Sequence, residues 1–137
     1  PLPELTLSLT LPPTFLLGRL SLHHNLSSLL LPHGPILKTP TGLPSFPPGL
    51  KGSLSHKGSL CVSVVSKGSR DIGVDIEVIK PVSWRLRGRI CCEEEVLRDE
   101  DDVLLYWSVK ETIYKCVYPS LKRFVGFKEV KVEVDFE

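Results

Sequence analysis

The sequence contains no methionine, no excess of one charge and no long uninterrupted apolar run. Its 17 Lys and Arg residues balance 16 Asp and Glu residues, so no overall charge attracts nucleic acid or an anionic membrane. Pro12 and Pro13 break the apolar start, LTLSLTLPPTFLLG, far short of the ~20 residues that span a bilayer. No basic segment precedes that start, as one would in a signal peptide. We expect a cytoplasmic chain with no membrane span and no nucleic-acid partner, shortened at its start because it begins at Pro1.

Cysteine occurs four times but forms no recognisable metal or disulfide pattern. The set contains one vicinal pair and no C-x-x-C, and its spacing differs from that of zinc sites: Cys61, Cys91, Cys92 and Cys116. We therefore expect reduced, structural thiols. At 137 residues the chain is long enough for about one compact domain.

The order of apolar and turn-forming residues predicts a mixture of helices and strands. Leucines at helical spacing, a loop rich in proline and glycine, and two alternating β-branched runs follow one another along the chain. The predicted elements are a helix over 14–31, an irregular loop over 35–53, an antiparallel hairpin pairing 59–68 with 71–78 across Lys67, Gly68 and Ser69, a helix over 93–118 and a strand over 127–137.

Two acids interrupt the apolar stretch IGVDIEV, which spans residues 72–78. In a strand, residues two apart face the same way, so Asp75 and Glu77 would project together. Two close carboxylates raise each other's pKa unless a cation lies between them, and Mg²⁺ is a common solution. The simpler interpretation is an edge strand whose solvent face carries charge.

A second candidate is the helical stretch LLYWSVKETIYKCVYP. At ~100° per residue, Leu105, Val109, Ile113 and Cys116 would form the core stripe, with Trp107, Glu111, Lys115 and Tyr118 on the opposite face. Glu111 and Lys115 could be an ordinary surface pair four residues apart. The aromatic residues around them favour a face that meets a ligand.

A third candidate is KGSLSHKGS, which we expect to form a glycine-flanked turn. Ser53, Ser55, His56 and Lys57 are suitable donors to phosphate oxygens, although a histidine beside a turn is more often a surface residue. The order of Lys and Gly does not match a P-loop, so we interpret the three Lys-Gly-Ser copies as turns. No G-x-S-x-G elbow surrounds either serine, which argues against a hydrolase.

Together, GSLSHKGSLCVSVV, GVDIE and WSVKETIYKCVYP resemble the successive signature motifs of the 4'-phosphopantetheinyl transferases. The nearest branch is the one typified by enterobactin synthase component D, and the resemblance extends from about Thr14 onward. It implies an α+β fold, a pseudo-dimer of two α+β halves, here shortened at both ends. The halves would be residues 1–72 and 73–137, in a chain that acts as a monomer.

The resemblance also implies a reaction. A serine of an acyl or peptidyl carrier protein would attack the β-phosphate of coenzyme A and accept the phosphopantetheine arm, in siderophore, polyketide or fatty-acid synthesis. The residues matching family positions are Asp75, Glu77 and Glu111 for Mg²⁺; Arg19, Ser55, His56, Lys110 and Lys115 for coenzyme A; and Glu111, Lys115 and Glu95 for catalysis, with Glu95 as a candidate base.

Two other functions compete with carrier modification. One is a remnant of the same family that binds coenzyme A without transferring its arm. The other is a metal-dependent nuclease, which paired strand carboxylates also serve. The nuclease is disfavoured because the first lysine after Glu77 is Lys80, beyond the strand-like run, and because no basic stripe is present.

Overall fold

The computed structural model describes residues 13–31 and 34–137, so the apolar start before residue 13 lies outside the described residues. Helix α1 spans Pro13–Ser28, strand β1 Leu50–Lys57 and strand β2 Leu60–Lys67. Helix α2 is a single turn, Arg87–Ile90, after a 3-10 turn at Trp84–Leu86, and helix α3 spans Asp101–Leu121. A second 3-10 turn covers Phe127–Glu129. This mixture of helix and strand confirms the α+β class.

Strands β1 and β2 form an antiparallel hairpin, the only sheet within residues 13–31 and 34–137. Lys57 pairs with Leu60 across a two-residue turn, in which Gly58 takes the left-handed φ of 57° that glycine adopts at no steric cost. The predicted pairing of 59–68 with 71–78 is therefore wrong. The β-branched run at 60–67 found its partner on its N-terminal side.

Helix α1 packs on this hairpin through a narrow face. Leu22 and Leu26 are fully buried, whereas Leu16, Leu17 and Leu20 of the predicted leucine stripe stay exposed. The face also carries polar contacts to β2, where Asn25 Nδ2 donates to the Ser63 carbonyl at 3.0 Å. The helix itself was predicted correctly and ends three residues earlier than expected, at Ser28.

The described residues form two hydrophobic cores. The first contains Leu22, Leu26 and Ile36, with Phe46 and residues of the hairpin against it. The second gathers residues from α2, α3 and the segments around them: Val82, Ile90, Cys91, Val103, Tyr106 and Val132. The predicted boundary at residue 72 falls between the two cores in sequence, and the division into two halves stays a prediction.

Helix α3 begins eight residues later than the predicted start at residue 93. Asp99 Oδ1 accepts the backbone N–H groups of Asp101 and Asp102 at 3.0 and 3.2 Å, so its carboxylate caps the first turn. The buried face of α3 contains Val103, Tyr106 and Lys110, while Leu105 of the predicted core stripe is 39% exposed.

The segments on either side of α3 are not part of a sheet. Residues 71–83 and 130–137 belong to no helix or strand, so the predicted strands there are wrong as assigned. The alternation in the last segment is nevertheless present, because Val130, Val132 and Val134 turn inward while the residues between them are exposed. Among the residues described, no helix is long and apolar enough to cross a bilayer.

Candidate active site

A cleft of about 910 Å³ separates the hairpin and the proline-rich loop from α3. Its walls come from α1, residues 38–49, β1 and the last two turns of α3. Of the predicted site residues, Arg19, His56 and Lys115 line it. Residues far apart in the sequence are thus brought to one opening.

Asp75 lies at the α3 side of this cleft in a dense hydrogen-bond network. Its Oδ1 accepts from Lys115 Nζ at 2.6 Å and from Ser55 Oγ at 2.8 Å, and its Oδ2 accepts from Ser108 Oγ at 2.9 Å. Burial raises the pKa of Asp75, but the bonds from Lys115 and the two serines outweigh it and hold the pKa below its usual value. The carboxylate is therefore firmly ionised and held in place from both sides.

Glu77 and Glu111 complete the acidic set predicted for a metal. Glu77 Oε2 is 2.6 Å from Lys57 Nζ. Burial raises the pKa of Glu111, and the charges of Asp75 and Glu77 raise it further, against the opposing effect of Lys115. Glu111 is therefore close enough to both Asp75 and Glu77 for their charges to act on it.

One observation favours binding of a hard cation by these three acids, and one opposes it. Glu111 makes no hydrogen bond or ion pair to any described residue, and a raised pKa is what a divalent cation would reverse. On the other hand, within residues 13–31 and 34–137 no three His, Cys, Asp or Glu side chains are yet gathered at metal-binding distances. All-oxygen donors suit Mg²⁺. Lysines stand at two of the three acids, Lys57 at Glu77 and Lys115 at Asp75, where a cation would otherwise neutralise the carboxylates.

Arg19 enters the cleft from α1 and is buried, with only 9% of its surface exposed. Its Nε has no hydrogen-bond partner among the described residues, and burial lowers the pKa of its guanidinium. The Phe15 ring lies 4.8 Å from Arg19 Cζ and 5.1 Å from Lys38 Nζ. A buried donor left free beside a second cation is suited to an anionic ligand.

The Ser-His stretch lies on β1 rather than in a turn, which corrects the expectation of a loop. His56 is exposed and lines the cleft, whereas Ser55 is buried and donates to Asp75. Ser53 Oγ accepts the backbone N–H of Val74 at 3.2 Å. The two serines therefore attach residues 72–78, which we call the acidic segment, to the hairpin.

Glu95 and Lys110 are placed elsewhere, in a buried ion pair with 2.8 Å between Lys110 Nζ and each carboxylate oxygen. Their side chains are 0% and 1% exposed, and neither lines the cleft. This placement does not favour Glu95 as a general base or Lys110 as a ligand of coenzyme A. Both roles stay predictions.

Sequence reasoning missed three residues of this site. Ser108 bonds Asp75, and its signal was its position one turn before Glu111. Gly73 passes so close to α3 that a Cβ there would lie 2.0 Å from the Thr112 carbonyl oxygen, a role that an isolated glycine in a β-branched run can signal. Lys38 came from the proline-rich loop and carried no signal.

Comparison with known proteins relates the chain to one family. Residues 71–137 match the profile of the 4'-phosphopantetheinyl transferase superfamily, and residues 13–66 match that of the 4'-phosphopantetheinyl transferase N-terminal domain. 4'-Phosphopantetheinyl transferase PptT of Mycobacterium tuberculosis (strain ATCC 25618 / H37Rv) is 29% identical over 116 residues, 78% of this chain and 51% of the relative. 4'-Phosphopantetheinyl transferase Svp of Streptomyces mobaraensis is 30% identical over 122 residues, 80% of this chain and 49% of the relative.

The chain spans about half the length of these curated relatives. The two profiles follow one another along the chain and together cover most of it. The profile over residues 71–137 contains Asp75, Glu77 and helix α3. The chain belongs to the 4'-phosphopantetheinyl transferase superfamily.

Proposed function

We propose that this chain transfers the 4'-phosphopantetheine arm of coenzyme A to a serine of an acyl or peptidyl carrier protein, in a Mg²⁺-dependent reaction. One observation carries the proposal. Lys115 lines the cleft and also bonds Asp75, so the cation-lined cleft adjoins the first of the three acids. A diphosphate ligand with a charged nucleotide end suits such a site.

Asp75, Glu77 and Glu111 would hold the Mg²⁺. When bound, the ion would neutralise charge on the pyrophosphate oxygens. The network around Asp75 supports this assignment, since bonds from Ser55 and Ser108 orient the carboxylate before any ligand arrives. Without a bound cation, Lys57 neutralises Glu77 and Lys115 neutralises Asp75, each at 2.6 Å.

The cleft would take the nucleotide part of coenzyme A. Arg19 offers its unpartnered Nε, and His56 of β1 also lines the cleft. The serine hydroxyl of the carrier protein would lose its proton to water as its oxygen forms a bond to the β-phosphorus, while the bond to the bridging oxygen breaks and 3',5'-ADP leaves. Lys115 lies where it can stabilise that leaving oxygen or give it a proton.

A second candidate function is binding of coenzyme A without transfer. The lysine partners of Asp75 and Glu77 favour it, because they satisfy two of the three acids without a metal. We propose further that the protein is a cytoplasmic monomer of the enterobactin synthase component D branch. It would serve siderophore, polyketide or fatty-acid synthesis.

The test is intact mass spectrometry of an apo carrier protein incubated with the chain, coenzyme A and Mg²⁺. We expect a mass gain of one phosphopantetheine arm that disappears with EDTA and in Asp75→Asn. Asp135→Asn is the matched control, because Asp135 is exposed and, among the residues described, accepts a hydrogen bond only from the backbone N–H of Glu137. No gain on several carriers by a folded sample, with coenzyme A still bound, would select the second function.

A further inference from the structure

The ion pair of Glu95 and Lys110 is the most buried charged group of the described residues, and each of its polar atoms is bonded. Lys110 Nζ donates to Glu95, to the Ile90 carbonyl at 2.8 Å and to the Phe127 carbonyl at 3.0 Å. The Glu95 carboxylate accepts in addition the backbone N–H groups of Cys92 and Val132, both at 2.8 Å. All three ammonium protons and both carboxylate oxygens are therefore used.

These bonds connect α3 to three separate segments. Ile90 and Cys92 lie at the end of α2, Phe127 begins the second 3-10 turn and Val132 lies in the last segment. Burying two charges costs several kcal/mol per ion before their mutual attraction is counted, and apolar residues could fill the same space. Stability alone is thus a weak reason for the pair.

The position of the pair along α3 suggests another reason. Lys110 directly precedes Glu111 in the sequence, and the two side chains leave the helix about 100° apart. Lys110 points into the second core, so Glu111 and Lys115 point toward Asp75. A rotation of α3 by about 20° would move a side-chain end about 6 Å from the helix axis by about 2 Å.

We propose that Glu95 and Lys110 are positioning residues, which hold the rotation of α3 at which Glu111 and Lys115 face Asp75 and Glu77. This inference rests on the proposed function, since it concerns the same acidic site. It assigns neither residue a contact with substrate. Their donors and acceptors are already used within the protein, and both side chains are excluded from the cleft.

The test compares metal and nucleotide binding in Lys110→Met. Isothermal titration with Mn²⁺ and, separately, with 3',5'-ADP is carried out well below the unfolding temperature. We expect Mn²⁺ binding weakened about tenfold or more, as for other groups that orient metal ligands. Binding of 3',5'-ADP should weaken less than Mn²⁺ binding, because Arg19 and His56 also line the cleft and do not belong to α3.

Two further variants separate positioning from general loosening. Val103→Ala removes fully buried side-chain volume from the same helix, so it should destabilise the fold while leaving Mn²⁺ binding within twofold. Lys110→Arg retains the charge and should restore part of the Mn²⁺ affinity. If Lys110→Met does not fold, Glu95→Gln/Lys110→Met carries the test, because it leaves no buried charge unpaired.

Each outcome decides the matter. Unchanged Mn²⁺ affinity in a folded Lys110→Met, or in the double variant, overturns the inference. Equal weakening of both ligands, or a matching loss of Mn²⁺ binding in Val103→Ala, overturns it as well. Wild-type protein that binds neither Mn²⁺ nor 3',5'-ADP instead refutes the proposed function, and the inference falls with it.

Discussion

Replacing Gly73 by alanine should displace the acidic segment from α3. An added Cβ would lie 2.0 Å from the Thr112 carbonyl oxygen and 3.0 Å from the Cys116 nitrogen, both of them helix backbone that cannot rotate away. The backbone at Gly73 does not have a positive φ, so alanine is disfavoured there only by steric overlap with α3. Ordinary contact distance requires the segment to move by roughly 1 Å or more, carrying Asp75 away from Ser108 and Lys115.

Both stability and activity should respond to that displacement. Forcing an extra methyl group into a packed contact typically costs about 1–3 kcal/mol of unfolding free energy. A displacement of about 1 Å at catalytic groups can reduce the rate about a hundredfold. The measurements are urea unfolding followed by circular dichroism, and arm transfer to an apo carrier protein followed by mass spectrometry.

Gly88→Ala is the matched control. Gly88 lies in α2 with no atom within 4 Å of an added Cβ and no positive φ. Alanine there should leave activity unchanged and stability equal or higher by up to about 1 kcal/mol. The reasoning would be refuted by a Gly73→Ala protein that matches wild type in both assays, or by equal losses in the two variants.

Three more substitutions test other contacts. In Lys57→Gln, Glu77 loses its ion-pair partner and becomes available to a cation. The Mg²⁺ concentration at half-saturation, measured by titration calorimetry, should therefore fall by up to about fivefold. Lys51→Gln, which breaks the similar 2.8 Å pair with Asp71, is the control and should not change it. Tyr106→Phe removes the 2.9 Å hydrogen bond to the Val96 carbonyl and should lower the urea unfolding free energy by about 1 kcal/mol; Tyr114→Phe should lower it less, since no hydrogen bond of Tyr114 is seen to the described residues. The bond from Arg98 holds the pKa of Asp102 below its usual value despite burial, so wild type should exceed Asp102→Asn in stability at neutral pH and lose that advantage as the pH falls below about 4. A difference that stayed constant from pH 7 to pH 3 would contradict this cause.

Local patterns in the sequence predicted α1, the existence of α3 and the inward alternation of the last segment, since periodicity reports directly which side chains are buried. Pairing was harder to predict. The run at 60–67 had β-branched residues on its C-terminal side, but only Gly58 and Ser59 on its N-terminal side offered a two-residue turn. The sequence carries both possibilities, and tertiary packing decides between them.

The candidate site was predictable where its residues belong to motifs, and unpredictable where a role depends on three-dimensional neighbours. Glu95 and Lys110 are 15 residues apart, and no local sequence pattern predicts their contact beside the second core. The start of α3 was missed because Glu93 and Glu94 are good helix formers, while Asp99 caps the first turn and the helix begins eight residues later than expected. The free Nε of Arg19 was likewise visible only in the structure.

The double contact of Lys115 has a thermodynamic consequence. The same ammonium group bonds Asp75 at 2.6 Å and borders the cleft. An anion that draws Lys115 into the cleft frees Asp75 for a cation, and a cation at Asp75 frees Lys115 for the anion. By linkage, each ligand must tighten the other by the same factor. One lysine side chain thereby favours the doubly loaded protein over either half-loaded form.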